Sequence, residues 1–290
     1  MQLPTSDRVS IHRHDSVLGQ WTVALCQPPP QLQGIVAQLW YGEGQVSYAR
    51  DRILPSGQSQ LLINLGPVQY RVRPGPPEQR IAFRDIWYAG LHQGPIDTEA
   101  PHGSALLGVA FSAHGGFPWL QADQSQHCDH IIALADALGD GVLALRQRLL
   151  DNADIVRRFE LVESWLQARL DPRAAVHPAV RWSVERIASR GGQIGVVELA
   201  SQTGYTRKHL NALFQRQVGM GPKALARVHR FNAAIARLQG LDEVPWASLA
   251  QLCGYYDQSH LVRDFRSFSG YAPAEFLRHG RPDGSSVVVQ

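Results

Sequence analysis

Residues Gly204–Phe214 read GYTRKHLNALF, and residues Gly254–Phe265 read GYYDQSHLVRDF. The two phrases align beyond their own ends. Leu199-Ala200 precedes the first glycine as Leu249-Ala250 precedes the second. An aromatic follows each glycine, Tyr205 or Tyr255, and then a helix-capping residue, Thr206 or Asp257. Leu210 and Phe214 correspond to Leu261 and Phe265, Gly219 to Gly270, and Pro222 to Pro273, with one extra residue between glycine and leucine in the second copy. Each copy predicts a helix–turn–helix. The Leu-Ala pair buries a short first helix, the glycine ends it with a positive φ, and the cap starts a second helix.

The faces of the second helices separate cleanly at about 100° per residue. In the first copy Leu210, Leu213 and Phe214 share the inner side, and Lys208, Asn211, Ala212 and Gln215 point away. In the second copy Leu261, Phe265 and Phe268 are inner, while Ser259, Val262, Arg263 and Arg266 are outer. Asp264 breaks the pattern, because it occupies the position of Leu213; it is expected at the edge of the core, beside an arginine the sequence does not identify. An outer face of Arg, Lys, Asn, Gln and Ser suits a major groove, where Arg grips guanine, Asn reads adenine and both cations neutralise phosphate. The alternative for such a helical repeat is a solvated scaffold or protein-interaction module.

Charge favours the first reading. From Pro178 onward there are 14 Lys and Arg against 8 Asp and Glu, a balance of +6; the preceding part has 14 against 17, a balance of −3. Both lysines, Lys208 and Lys223, fall in the basic part. A basic module joined to a slightly acidic one points to a polyanionic partner for the former.

Outward from the repeat, the chain of 290 residues has room for about two domains. Residues 17–125 carry short apolar runs, Gln20–Cys26, Gly34–Tyr41, Ser59–Leu65, Val68–Val72, Ile81–Ala89 and Ala105–Phe111, separated by Gly- and Pro-rich turns. That spacing predicts a β-sandwich or barrel. From Ile131 the period turns helical, and in 152–170 Ile155, Phe159, Val162, Leu166 and Leu170 form one apolar stripe, with Arg157, Arg158, Glu163 and Arg169 mostly elsewhere. Such a helix docks on its own domain or pairs with a second copy in a homodimer. Pro172 and Pro178 bracket a break, so 171–177 is the expected linker and 281–290 a polar, loosely ordered tail.

The segment from Ile194 to about Leu277 resembles the DNA-binding domain of AraC/XylS-type bacterial transcription regulators. The likeness rests on the doubled motif, on Phe265–Phe276 (FRSFSGYAPAEF) and on Pro222–Phe231 (PKALARVHRF) between the motifs. It implies an all-α domain over 178–280 with helix–turn–helix units at about 196–217 and 246–269. A long helix, Pro222–Leu238, joins them, and the two recognition helices enter major-groove segments about one turn (~34 Å) apart on double-stranded DNA. Carried onto this chain, the base-reading positions are Arg207, Lys208, Asn211 and Ala212 in the first copy and Gln258, Ser259, Val262 and Arg263 in the second. His209, Gln215, Arg227, His260 and Arg266 are phosphate-contact candidates, and RNA polymerase is a further implied partner. Residues 1–170 more loosely resemble the cupin-like sensory domains of full-length members, through Pro55–Gly66 (PSGQSQLLINLG) and Gly108–Phe111. That likeness implies a β-barrel with helices at about 131–170, used for dimerisation, and a small-molecule effector it does not name. The expected fold class is multidomain α+β.

The competing function class is a cupin-type, metal-dependent enzyme with an accessory helical module. His12-Arg-His14 and His127-Cys-Asp-His130 bring metal-ligand types close, but neither is followed by a Glu and second His at a metal-site spacing. There is no GxSxG elbow, P-loop or GxGxxG after a strand, and no cofactor or metal is indicated. Cys26, Cys128 and Cys253 form no CxxC pair and read as small buried hydrophobes. Trp40, Tyr41, Tyr70, Trp87 and Tyr88 are either effector-pocket lining or barrel core. No apolar run approaches the ~20 residues of a membrane span, and the N-terminus does not read as a secretory leader, so a cytoplasmic protein is expected.

Overall fold

The computed structural model describes residues 4–171, 173–238, 244–279 and 286–289. Of the expected linker, Pro172 lies outside the described residues, and so do 281–285 and Gln290 of the expected tail. The N-terminal part is built from β1 (Val9–Ser16), β2 (Gly19–Cys26), β3 (Val36–Val46), β4 (Arg50–Ile53), β5 (Gln60–Asn64), β6 (Gln69–Arg73), β7 (Gln79–Phe83), β8 (Ile86–Ala89), β9 (Ile96–Glu99) and β10 (Ser104–Phe111). The helix α1 (Gly116–Leu120), strand β11 (Ile131–Ala133) and helices α2 (Leu134–Leu138), α3 (Leu143–Leu150) and α4 (Ile155–Arg169) complete it. Two antiparallel sheets result, a larger one in the order β1-β2-β3-β10-β5-β8-β11 and a smaller one in the order β4-β9-β6-β7. The run Ile81–Ala89, expected as one strand, is two strands in different sheets, broken at Arg84-Asp85.

Strand alternation gives the larger sheet two different faces. Leu107, Val109 and Phe111 point one way and pack with Leu149, Phe159, Val162 and Leu166 beneath the helices. Leu106 and Ala110 point the other way, toward the smaller sheet. The α4 stripe is therefore buried in its own domain, each large side chain contributing about 1.5–3 kcal/mol. Glu163, expected away from that stripe, is buried as well. Its carboxylate accepts from both Arg8 guanidinium nitrogens at 2.7 and 2.9 Å, and the Cys26 thiol lies 3.7 Å away. Burial and Glu163 push that thiol up to about 12, so Cys26 stays protonated and inert near neutral pH.

The C-terminal part is helical: α5 (Pro178–Ser189), α6 (Val196–Thr203), α7 (Arg207–Val218), α8 (Pro222–Leu238), α9 (Trp246–Leu252), α10 (Gln258–Ser269) and α11 (Pro273–His279). One core gathers Val180, Ile187, Leu199, Leu210, Phe214 and Leu225 around the first unit; another gathers Phe231, Ile235, Leu249, Leu261, Phe265 and Phe268 around the second. The long α8 contributes to both, through Leu225 and Ala226 to the first and through Val228, Phe231 and Ile235 to the second. Leu91 and Ala113 reach into the first core from the sheet part, and Leu54 into the second.

The tail departs from expectation at 286–289. Ser286–Val289 forms β12, antiparallel to β4 at the edge of the smaller sheet, with Val287 fully buried. Valines of high β propensity complete an otherwise open strand edge there. At the same edge Arg52 holds Asp97 bidentately and donates to the Ser269 carbonyl at 3.3 Å, reaching the end of α10.

Candidate nucleic-acid interface

Each recognition helix is set by the same local devices. Gly204 and Gly254 both adopt φ +73°, a left-handed conformation a side chain would strain. Thr206 Oγ1 accepts from the His209 amide at 3.2 Å, and Asp257 Oδ1 from the His260 amide at 2.7 Å. These caps satisfy amides that α7 and α10 leave unpaired at their first turns. Ala200 and Ala250 are buried where the two helices of each unit cross.

What the helices present outward is neutral or basic. On α7, Arg207, Lys208, His209, Asn211, Ala212 and Gln215 are exposed. On α10, Gln258, Ser259, Arg263 and Arg266 are exposed, while Val262 and His260 are half-buried. The two histidines also pack on the aromatic after each turn glycine. His209 stacks on Tyr205 with ring centroids 4.9 Å apart, and His260 meets the Tyr255 edge at 5.2 Å.

Asp264 is the only acidic residue on either recognition helix, and it is withdrawn from the surface. It is 2% exposed, and Oδ1 accepts from Arg227 of α8 at 2.7 Å. The arginine missing from the sequence reading is thus Arg227, whose guanidinium also lies 5.1 Å from the Phe268 ring centre. Arg227 was a phosphate candidate; its charge is already engaged by Asp264.

Two exposed residues beside this face escaped the sequence reading. Arg216 lies one helical turn beyond Ala212, and that spacing could have identified it. Tyr256 is 94% exposed just before the α10 cap; only its position between turn glycine and cap distinguishes it.

The histidine pairs of the enzyme alternative stand apart from this face. His12 and His14 lie on the edge strand β1, with His14 stacked on Trp21 at 3.9 Å. His130 is exposed, and among the described residues no three His, Cys, Asp or Glu side chains converge as metal ligands. No helix among them is long and apolar enough to cross a membrane.

A second feature is the cavity of about 640 Å³ between the two sheets. Trp21, Trp40, Phe83 and Trp87 line it, with Arg71, and Asn232 of α8 and Ser286 of β12 close one side. The five aromatics considered from sequence divide between the faces. Trp40 and Trp87 border the cavity, Tyr70 turns its ring to the outer face of the smaller sheet with the Arg80 guanidinium 4.4 Å from its centre, and Tyr41 and Tyr88 are buried in the core under the helices.

Residues 199–279 match a family described as a helix-turn-helix domain, and residues 25–133 match a family described as a domain of unknown function. An AraC-like transcription regulator of Streptomyces antibioticus is 29% identical over 133 residues, 43% of this chain and 40% of its own. The chain therefore spans well under half the length of that curated relative. Among solved structures, the C-terminal domain of AraT, a response regulator from Geobacillus stearothermophilus, matches 36% of this chain and 86% of its own at 20% identity, with a TM-score of 0.34. ToxT from Vibrio cholerae matches 91% of this chain and 98% of its own at 9% identity, with a TM-score of 0.44.

Proposed function

From a C-terminal helix–turn–helix domain of the AraC type, we propose that the chain is a sequence-specific regulator of transcription. In this reading it acts on double-stranded promoter DNA in the cytoplasm and is modulated by a small molecule in the inter-sheet cavity. The observation that carries the DNA reading is the charge of the two recognition faces: cations and amides outside, and the one carboxylate buried against Arg227. A solvated scaffold would have no reason to keep every outward acid off both helices, since mixed signs serve solubility better. Arg207, Lys208, Asn211, Ala212, Gln258, Ser259, Val262 and Arg263 are the proposed base-reading set. Ala212 and Val262 offer only apolar contact, as to a thymine methyl. His209, Gln215, His260 and Arg266, with Arg216 added, are proposed to contact phosphate.

A gel-shift titration on the DNA upstream of the protein's own gene, repeated at several salt concentrations, tests the reading. Binding should weaken log-linearly with salt, with a slope near −0.9 per neutralised phosphate. Arg263→Ala is expected to cost about 1–3 kcal/mol and to relax discrimination at one base pair. A variant that protects its site as tightly and selectively as the parent removes Arg263 from the reading set.

The proposed division is a sensory part, 1–170, a linker, 171–177, and a DNA-binding part, 178–280. The last linker residues also serve the helical core. Val176 is buried in it, and the His177 side chain accepts from the Ala179 amide at 3.2 Å while its own amide donates to Gln217. A fragment from Ala174 to Gln290 is expected to fold and bind DNA. One starting at Pro178 should be less stable by about 2–3 kcal/mol, from a lost cap and a lost buried valine. Absence of cooperative unfolding in both fragments, followed by circular dichroism, would place the boundary elsewhere.

A further inference from the structure

Among the described residues, one cation that lines the inter-sheet cavity, Arg71, makes neither a hydrogen bond nor a salt bridge. Arg71 lies in the middle of β6, where its neighbours across the sheet are Thr98 on β9 and Ile81 on β7. Thr98 in turn faces Asp51 on β4. Asp51, Thr98 and Arg71 thus form one row on the cavity side, with the two charged backbones about 10 Å apart at two strand spacings.

The two ends of that row differ. Asp51 is supplied with donors: Tyr48 Oη donates at 3.0 Å and Ser286 Oγ at 3.1 Å. Arg71 has no hydrogen bond or ion pair with any described residue. Its neighbours on the outer face of the same sheet are all paired: Arg50 with Glu78 and Glu99, Arg52 with Asp97, and Arg80 with Glu99. Arg73, next on the cavity side of β6, is exposed to water. Burial and Arg73 lower the Arg71 pKa, with Asp129 opposing, so the guanidinium is partly stripped of water and under-compensated. A desolvated, unpaired guanidinium is costly unless an anion completes it.

The surrounding wall is aromatic. Trp40 lies flat against Gly108, where a Cβ would fall 2.1 Å from the indole; the glycine is what lets the ring sit there. Trp40 Nε1 donates to Gln60 Oε1 at 3.4 Å, which orients the ring. Trp87 and Phe83 meet edge to face at 5.2 Å on the other wall. Glu43, also at the cavity margin, shares the helix-side face of β3 with Tyr41, two residues away, and its carboxylate accepts from Tyr41 Oη there at 2.7 Å. A guanidinium with no salt bridge among the described residues, set beside planar apolar walls, calls for one negative charge on an apolar body. About 640 Å³ is the size of a small-molecule site.

We propose that this cavity takes a small organic monocarboxylate, its carboxylate paired bidentately with Arg71 and its apolar body held between Trp40, Trp87 and Phe83. The proposal rests on the effector reading above and specifies its ligand class. The test is equilibrium binding to the full chain, followed by tryptophan fluorescence, of three matched pairs: benzoate and benzamide, indole-3-acetate and indole-3-acetamide, decanoate and decanamide. At least one carboxylate should bind tenfold or more tightly than its amide. Arg71→Gln should reduce that preference to less than threefold, and Arg71→Lys, which keeps the charge without the fork, should retain part of it. Equal binding of acid and amide, or a preference that survives Arg71→Gln, overturns the carboxylate assignment and leaves the cavity reading standing. If none of the six binds, the cavity reading fails too, while DNA binding in the gel shift is unaffected by either outcome.

Discussion

Arg227→Ala is expected to destabilise the helical domain by about 3 kcal/mol, although Arg227 lies half at the surface. The cost comes from Asp264. That carboxylate is 2% exposed on the inner side of α10, and its Oδ2 has no partner among the described residues. Removing Arg227 leaves a buried charge uncompensated, which costs about 3–5 kcal/mol in general. The lower end applies because Arg227 is 40% exposed and its loss lets water approach. Asp264→Leu, which restores the residue found at Leu213 in the first copy, should be neutral to within about 1 kcal/mol, since apolar replacement of a buried ion pair is often tolerated. Urea denaturation of both variants measures the asymmetry. If Arg227→Ala leaves stability unchanged but weakens DNA binding, Arg227 is a phosphate contact and the ion pair is incidental. If Asp264→Leu is the more damaging, the carboxylate stabilises the fold by some other route.

The larger effect is expected at the other end of the chain. Arg8→Ala should cost the sheet domain about 4 kcal/mol. Both partners here have side chains only 8% exposed, so water cannot readily replace the lost guanidinium. Arg8 also donates to the Gln27 carbonyl and, at 2.9 Å, to Thr5 Oγ1. It therefore ties the segment before β1 to the end of β2 and to α4. Without it the Glu163 carboxylate would face the neutral Cys26 thiol alone. Replacing both Arg8 and Glu163 by methionine should recover much of the loss. Because two parts of one chain need not unfold together, emission from Trp119 and Trp165, which lie against this core, is the suitable probe. A melting transition unchanged in Arg8→Ala would show that the pair does not hold α4 to the sheets.

The repeat and the sheets differ in how much of them could be read from residues alone. In the helical part each signal lies within about a dozen residues: a cap, an apolar residue every three or four positions, a glycine at the end. The observed α6–α7 and α9–α10 pairs follow from those signals, whereas α8 at Pro222–Leu238 was implied only by the family resemblance. In the sheet part, strands with continuous apolar runs were legible, and β1, β4, β9 and β11 were not. Strand β4 reads RDRI and β9 reads IDTE. They look like polar loops because alternate residues are outer-face charges, Arg52 with Asp97 and Arg50 with Glu99. A strand whose outer face is an ion-pair ladder loses the hydrophobic alternation by which strands are recognised.

By itself, then, the sequence determined that there are two helix–turn–helix units, where each recognition helix begins, and which of its faces carries cations and amides. Those properties are local, set by backbone capping and helical period. Only the tertiary structure decided that Asp264 meets Arg227, 37 residues away, and that Glu163 meets Arg8 across 155. It likewise decided that Ser286–Val289 joins β4 and that Arg71 faces an aromatic cavity rather than water. Each of these depends on which elements pack together and in what register. That choice is made by burying apolar faces against partners distant in sequence, and nothing within a short stretch of residues encodes it.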